Sequence, residues 1–532
     1  MSTNHQYQVL VADALSEEGL QILRAEPQLA VDVKTGMTPA QLVATVGAYD
    51  GLIVRSATKV TAEVLAQAKR LKVVGRAGVG LDNIAADAAS KRGIIVMNVP
   101  GGNTISTAEH TMSLLLAMSR NIPQACADTK SGRWNRGKFM GTELYGKILG
   151  IVGLGRIGTE VAKRAHAFGM RIIAHDPYLS LERARQLEVS VVTLEELLRQ
   201  ADFITVHTPL SAETKHLIGR EQLQLVKPGV RIINCARGGI VEESALAEAI
   251  KEGRVAGAAV DVFETEPPKD SPLLGLEQVV VTPHLGASTE EAQVNVAIEM
   301  AKQMADALLG RGIRNATNMP SVDGQTLQAI QPYIHLAEKL GMLLAQLAES
   351  HVSTVKVTYI GDVTHHETSP ITMALLKGLL EPMVGETVNY VNASLIAAER
   401  GIKVVEAKSS QTEEFAQLIA VEVQGEKVQV SAQGTLLTKK DPRIVRINRF
   451  FVDAAPSGYM LFIENQDRPG LIGGIGTILG EAGINIAGMT FGRATPGGDA
   501  ITVLNVDNPV PKDVLARIKS STHVVNARLI KL

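Results

Sequence analysis

Over the first hundred residues, short apolar runs alternate with segments of helical period: QVLVADA, SEEGLQILRA, GLIVRS, TAEVLAQAKR, LKVVGRA and GIIVMNVP. β-rich runs of this length, separated by amphipathic stretches, predict βαβ units around a parallel sheet. After Pro100, STAEHTMSLLLAMSRNIPQACADTKSG carries apolar residues at helical spacing behind a Ser-Thr start. KILGIVGLG then opens a second series, in which RIIAHDP, FITVHTP, VRIINCARG, VAGAAVDVF and VVVTPH recur as strand-like segments. That succession suffices for an open doubly wound sheet. The helix EEAQVNVAIEMAKQMADALLG runs into GRGIRNATNMPSVDG, whose Gly, Asn and Pro predict a linker. Residues from about 320 to 453 mix two helical runs with strands such as STVKVTYIG and KVQVSAQG. The remainder reads strand-helix-strand-strand-helix-strand (YMLFIEN, PGLIGGIGTILGEAG, INIAGMTFGR, DAITVLNV, PKDVLARIK, VVNARLI), the split βαβ of a ferredoxin-like fold.

Composition narrows the function classes. A chain of 532 residues exceeds one ordinary core, so several domains are expected. With 45% hydrophobic and 20% charged residues and a net charge of -2, it has no electrostatic footprint for nucleic acid. No secretory pattern opens the sequence and no stretch is long enough to span a bilayer, so a cytoplasmic location and no membrane partner are expected. Cys126 and Cys235 stand far apart, outside any disulfide or zinc spacing, and read as small buried residues. His365 and His366 beside Glu367 lack a third ligand and read as a polar loop, so no metal is expected.

Gly153, Gly155 and Gly158 form G-x-G-x-x-G directly after the strand KILGIV and directly before the helix TEVAKRAHAFG. The glycines allow the turn, the approach of a pyrophosphate and close helix packing, and the helix N-terminus offers free N–H groups to phosphate. Asp176, 18 residues after Gly158, ends the next strand, where a carboxylate suits ribose hydroxyls and repels a 2′-phosphate, favouring NAD over NADP. GGIGTILGEAG fails this spacing and reads as a helix start. A bound NAD needs a partner that moves a proton. Arg237, Glu266 and His284 each follow a strand-like run, and as guanidinium, carboxylate and imidazole they could hold an α-hydroxy carboxylate, orient the imidazole and take the hydroxyl proton. Each also has a plain reading as a surface pair or capped strand end.

VGLGRIG, NCARGGIV, DVFETEPP and TPHLGAST resemble the signatures of the D-isomer-specific 2-hydroxyacid dehydrogenases. The resemblance implies catalytic roles for Arg237, Glu266 and His284, and an NAD site formed by Gly153, Gly155, Arg156, Ile157, Gly158, Asp176, Thr208, Ala236 and Asp261. It implies two Rossmann-like doubly wound domains: a discontinuous substrate domain, residues 1–98 and 286–317, with the nucleotide domain, residues 99–285, inserted. VGRAGVGLDN, GRWNRGKFMGTEL and the C-terminal extension are similar to family members that oxidise 3-phosphoglycerate to 3-phosphohydroxypyruvate, the first step of L-serine biosynthesis. On that likeness Arg55, Ser56, Arg76 and Gly78 lie near the substrate's carboxylate and phosphate; for Arg55 and Arg76 the alternative is a surface salt bridge. The GRWNRGK loop would sit at a dimer contact, with Trp134 packed across it and Arg136 reaching a neighbouring active site. Oxidation is expected to quicken as pH rises and the imidazole loses its proton.

The terminal ENQDRPGLIGGIGTILGEAGINIAGM resembles an ACT domain, residues 458–532, which in serine-binding members takes its effector at positions matching Asn465, Asp467 and Asn485. An N-cap at Asp467 and a strand-end turn at Asn485 are the alternatives, and an ACT fold alone does not establish feedback. Residues 318–453 resemble the α+β intervening domain of the same relatives, where Lys439, Lys440, Arg443, Arg446 and Arg449 form a basic edge, either anion-binding or simply solvated. Two self-associating regions imply a homotetramer, with a dimer as minimum. Rival readings are a dehydrogenase for glycerate or lactate, a formate dehydrogenase, which would carry Gln at Glu266, and a non-catalytic NAD-sensing scaffold. The ACT segment argues against the first, and with the phosphate-facing arginines against the last.

Overall fold

The computed structural model describes residues 6–348, 351–385, 387–411, 415–426, 428–438 and 440–532. Among the described residues four sheets carry the fold. The first is parallel, in the order Leu29–Val33, Tyr7–Val11, Gly51–Val54, Val73–Arg76, Ile95–Met97. All four residues of Gly51–Val54 are buried, as befits a parallel strand covered on both faces. One cover, the helix Glu290–Leu308, comes from far along the chain and packs Val296, Met300 and Met304 on Val9, Ile53 and Val73. The edge strand LAVDV was not legible in the periodicity because only Leu29 of it is buried.

The second sheet is also parallel, in the order Val279–Val281, Val255–Val260, Val230–Asn234, Phe203–Val206, Ile148–Val152, Arg171–His175, Ser190–Val191. The order reverses between Ile148–Val152 and Phe203–Val206, the switch point beyond which α/β sheets bind ligands. Ser190–Val191 adds an exposed two-residue edge strand too short for any period to reveal. The helical run after Pro100 divides into Thr104–Ser119 and Ile122–Lys130. Asn121 breaks it with a φ of 52°, a conformation Asn tolerates, and Pro123 fits the first turn of the new helix because its missing N–H would have no partner there.

GRGIRNATNMPSVDG is stitched to the first sheet instead of hanging free. Asn318 accepts from Val96 N at 3.0 Å and donates to the Ile94 carbonyl at 2.8 Å. Beyond it, a mixed six-stranded sheet is ordered Lys403–Ser409, Thr354–Gly361, Gln417–Gln424, Gln429–Leu436, Pro442–Ile447, Phe450–Ala454. It carries the helices Gly324–Ala348 and Ser369–Val384, and the region adds a third helix, Ala393–Glu399, to the two expected. The last sheet is antiparallel, in the ferredoxin-like order Ile486–Arg493, Asp499–Val506, Tyr459–Gln466, Val524–Lys531. Leu461 and Ile463 pack under its own two helices, while Met460 and Phe462 face the other way and join the core of the preceding sheet. Among the described residues no helix is long and apolar enough to cross a membrane.

Candidate active site

The two parallel sheets turn the C-terminal ends of their strands toward one cleft of about 410 Å³. From the second sheet come His207 and Thr208, Ala236 and Arg237, Asp261, and His284, each within a few residues of a strand end. From the first come Val79, Gly80 and Asp82, on the loop that follows Val73–Arg76. Ile157 and Asn103 contribute from the starts of two helices.

His284 Nδ1 and Glu266 Oε2 are 2.9 Å apart, and Glu266 Oε1 accepts the N–H of Phe263 at 3.2 Å. The pair leaves Nε2 of the imidazole for other work. His284 has a φ of 55°, a strained conformation for a non-glycine residue. Asp261 clamps that turn: its carbonyl accepts from His284 N at 2.9 Å, and its carboxylate accepts from Leu285 N at 2.7 Å and Gly286 N at 2.9 Å. Thr282 Oγ1 donates to the same carboxylate at 2.6 Å, and His110 Nε2 lies 3.2 Å from it. Burial pushes the Asp261 carboxyl upward, but the bonds from His110, Thr282 and Leu285 together hold it below its ordinary value.

Arg237 is set by its own turn. Ala236 N donates to Asn234 Oδ1 at 3.0 Å, and Asn234 Nδ2 donates to the Arg237 carbonyl at 2.9 Å. A Cβ on Gly238 would lie 1.9 Å from the Phe263 carbonyl oxygen, so only glycine lets the Arg237 turn meet the segment leading to Glu266. Arg237 Nε lies 3.4 Å from Asp82 Oδ2. Arg76 donates to the carbonyls of Gly80 and of Arg55, and the Gly78 N–H turns to the Arg76 carbonyl at 2.8 Å. Burial foremost, then the charge of Arg237 and, after a partial offset by Asp82, that of Arg55, hold the Arg76 guanidinium below its ordinary value. Such a crowd of positive charge is what an anionic ligand relieves. Arg55 itself turns away from the cleft lining to Gln293 Oε1 at 3.1 Å and the Ala14 carbonyl at 3.3 Å.

The fingerprint has the geometry a dinucleotide needs. A Cβ on Gly158 would lie 2.3 Å from the Gly153 carbonyl oxygen, whereas one on Gly155 would meet nothing within 4 Å, leaving open space at the helix N-terminus. Thr208 Oγ1, Asn103 Oδ1 and His207 Nδ1 are buried polar atoms at this cleft with no partner in the protein, which leaves them free to bond a polar ligand such as a dinucleotide. Asp176 accepts from Leu154 N and Tyr178 N, both at 2.9 Å, which ties it to the glycine turn. Arg156 lies in a neighbouring groove beside Pro100 and Gly101. Buried surroundings pull the His207 imidazole down to about 4, so it is neutral at pH 7.

Other expected site residues lie elsewhere. Ser56 is exposed on the loop after Gly51–Val54, and Arg136 is exposed on the arm that carries Trp134. Asn465 is 1% exposed; its Oδ1 accepts from Thr502 Oγ1 at 3.0 Å and its Nδ2 donates to the Gln466 carbonyl, so its amide serves the sheet. Asp467 accepts from Gly497 N at 3.0 Å and Arg493 Nη1 at 3.1 Å, which in that order hold its carboxyl below the usual range. It caps no helix, since Gly470 takes that position. Asn485 donates to Asp507 Oδ2 at 2.7 Å.

Cys126 is exposed, contrary to expectation, because the helix Ile122–Lys130 buries only Asp128; Cys235 is buried, which pushes its thiol up to about 12. On the basic edge Arg443 meets Asp441, Arg449 meets Asp499 and Arg446 lies over the Phe451 ring, while Lys440 is exposed and Lys439 lies outside the described residues. Gly80, Asp82, Asn103, His110 and His207 were missed. Gly80 and Asp82 sit inside the quoted VGRAGVGLDN, but nothing in their spacing says that the loop folds against Arg237.

Residues 112–286 match the NAD binding domain of D-isomer specific 2-hydroxyacid dehydrogenases, residues 329–448 the D-3-phosphoglycerate dehydrogenase intervening domain, and residues 459–522 the ACT domain. D-3-phosphoglycerate dehydrogenase of Methanocaldococcus jannaschii is 46% identical over 525 residues, covering 98% of this chain and 99% of that protein. Among solved structures, the TT0316 protein from Thermus thermophilus is 38% identical and covers 58% of this chain and 99% of its own, with a TM-score of 0.54. The D-lactate dehydrogenase from Aquifex aeolicus, solved with NAD and lactic acid, is 27% identical over 59% of this chain and 100% of its own, with a TM-score of 0.53.

Proposed function

Because the chain belongs to the D-3-phosphoglycerate dehydrogenases, we propose that its cleft oxidises D-3-phosphoglycerate at C2 to 3-phosphohydroxypyruvate and so begins L-serine biosynthesis in the cytoplasm. NAD, when bound, takes the hydride. His284 Nε2 takes the hydroxyl proton, since Nδ1 is held by Glu266 at 2.9 Å, and Glu266 balances the charge the imidazole gains. Arg237 binds the substrate carboxylate and polarises the oxygen that becomes a carbonyl. Arg76, with Arg55 and Ser56 behind it and the backbone at Gly78, supplies the positive field for carboxylate and phosphate. Gly153, Gly155 and Gly158 with Arg156, Ile157, Thr208, Ala236 and Asp261 hold the cofactor, and Asp176 selects the unphosphorylated ribose. The observation that carries the reading is the His284–Glu266 pair at the same cleft as Arg237.

L-Serine is the proposed effector of the ACT sheet through Asp467 and Asn485, with Asn465 shaping the turn that leads to Asp467. Arg136 approaches the active site of a neighbouring copy in a homotetramer. The test is a steady-state assay with NADH and phosphohydroxypyruvate, with and without millimolar serine, against unphosphorylated hydroxypyruvate. Fast turnover that depends on the phosphate is expected, and serine should suppress it. Equal turnover of the two substrates would refute the phosphate assignment, and indifference to serine would refute the effector role alone.

A further inference from the structure

A groove of about 680 Å³ lies where the first sheet meets the loop at Thr387–Val391. Lys69, Arg70, Lys72, Lys91 and Arg92 line it, and among the described residues no Asp or Glu does. The clustering is not inherited from composition, because the whole chain carries a net charge of -2. Two of the five cations have acidic partners outside the lining: Arg70 meets Asp50 at 2.9 Å and Lys91 meets Glu399 at 3.6 Å. Lys72 rests its ammonium 4.6 Å from the centre of the Tyr7 ring. Among the described residues, Lys69 and Arg92 make no ion pair. Like charges gathered this closely repel one another unless an anion sits among them.

The groove is separate from the active site. Lys72 directly precedes the strand Val73–Arg76 and Arg76 ends it, so the two cations sit at opposite ends of the same strand, roughly 13 Å apart at ~3.3 Å per residue. Substrate bound at the C-terminal ends cannot reach it. The far wall belongs to the intervening region: Asn389 Nδ2 reaches across to donate to the Gly93 carbonyl at 2.8 Å, while Asn389 Oδ1 accepts from Val391 N at 2.9 Å within its own loop. Tyr390 OH donates to Glu338 Oε2 at 2.6 Å.

We propose that this groove binds a small molecule carrying several phosphate groups, which bridges the first sheet to the intervening region. Ammonium and guanidinium groups from the loop before Val73–Arg76 and from the end of the helix Ala86–Lys91 suit phosphate oxygens, and the volume exceeds what one phosphate fills. Because its walls come from both regions, an occupant strengthens their docking.

The test titrates the NADH-loaded protein with tripolyphosphate and, separately, with inorganic phosphate, following heat of binding and thermal midpoint. Three forms are compared: the natural sequence, the double variant Lys69→Ala/Arg92→Ala, and Arg76→Ala, which removes an active-site cation instead. Tripolyphosphate should bind more tightly than phosphate and raise the midpoint. The double variant should weaken that binding at least tenfold while keeping its turnover without the ligand, and Arg76→Ala should leave it unchanged. Binding that survives the double variant, vanishes only with Arg76→Ala, or is absent at millimolar tripolyphosphate would overturn the proposal. Lys69→Gln alone, expected to weaken binding severalfold, guards against a folding defect in the double variant.

Discussion

His284 holds a left-handed backbone with a φ of 55° because Asp261 grips the turn on both sides, through its carbonyl and its carboxylate. His284→Ala should lower turnover by a factor on the order of 10²–10⁴, the share a positioned general base contributes, while NADH titration by fluorescence stays unchanged. Retained turnover would remove His284 as the base. Glu266→Gln should be milder, since glutamine keeps a hydrogen bond to Nδ1 but not the charge. A second imidazole obeys different physics. His207 is pulled down to about 4, so the folded protein refuses a proton that the unfolded chain accepts near pH 6.5. Its contribution to stability is therefore full above about pH 6.5 and is lost as pH falls through about 4, at up to ~1.4 kcal/mol per pH unit. Chemical unfolding at pH 7.5 and pH 5 should show His207→Gln losing less stability than the natural sequence; equal losses would refute this. Arg237, Glu266 and His284 were legible because each sits in a contiguous string with its own turn chemistry. His207, Asn103 and Gly80 were not, since their place in the cleft depends on two sheets meeting.

At the scale of elements, periodicity revealed the buried strands of the two parallel sheets and missed edge strands beside them. Gly51–Val54 and Phe203–Val206 are wholly buried and read as apolar runs, whereas Leu29–Val33 and Ser190–Val191 lie at sheet edges and carry too few buried positions. Alternation also explains Asn465. In Tyr459–Gln466 it shares a face with Leu461 and Ile463, beneath the helices, so pleat parity sends its amide inward. The arm after Ile122–Lys130 presents the opposite case, apolar residues left outside. Trp134 is 78% exposed, Met140 82% and Tyr145 80%, a run of surface that a second copy would cover. Trp134→Ala should therefore shift sedimentation toward a smaller species and weaken association by about 2–4 kcal/mol, the range of a buried aromatic anchor. Trp134 is the only tryptophan, so its emission should also move to longer wavelength as the natural protein is diluted. An unchanged sedimentation profile would mean the arm covers nothing.

At the scale of the whole molecule, the ACT sheet separates residues that an effector would need together. Asp467 follows the C-terminal end of Tyr459–Gln466 and is tied to Arg493, the last residue of Ile486–Arg493; Asn485 precedes the first. The two strands run parallel, both being antiparallel to Asp499–Val506, so Asp467 and Asn485 lie at opposite ends of one sheet. Eight residues at ~3.3 Å each put them roughly 25 Å apart, beyond the span of serine. One chain therefore cannot form the proposed serine site, but two copies related by a two-fold axis can, each site taking Asp467 from one copy and Asn485 from the other. Asp467→Ala and Asn485→Ala chains should each lose serine inhibition as pure assemblies. Mixed by unfolding and refolding together, they should regain part of it, because a mixed pair holds one site with both native residues and one with neither. If mixing restores nothing while both pure variants remain active and assembled, the site does not cross between copies. If either variant alone keeps full inhibition, that residue is no part of the site.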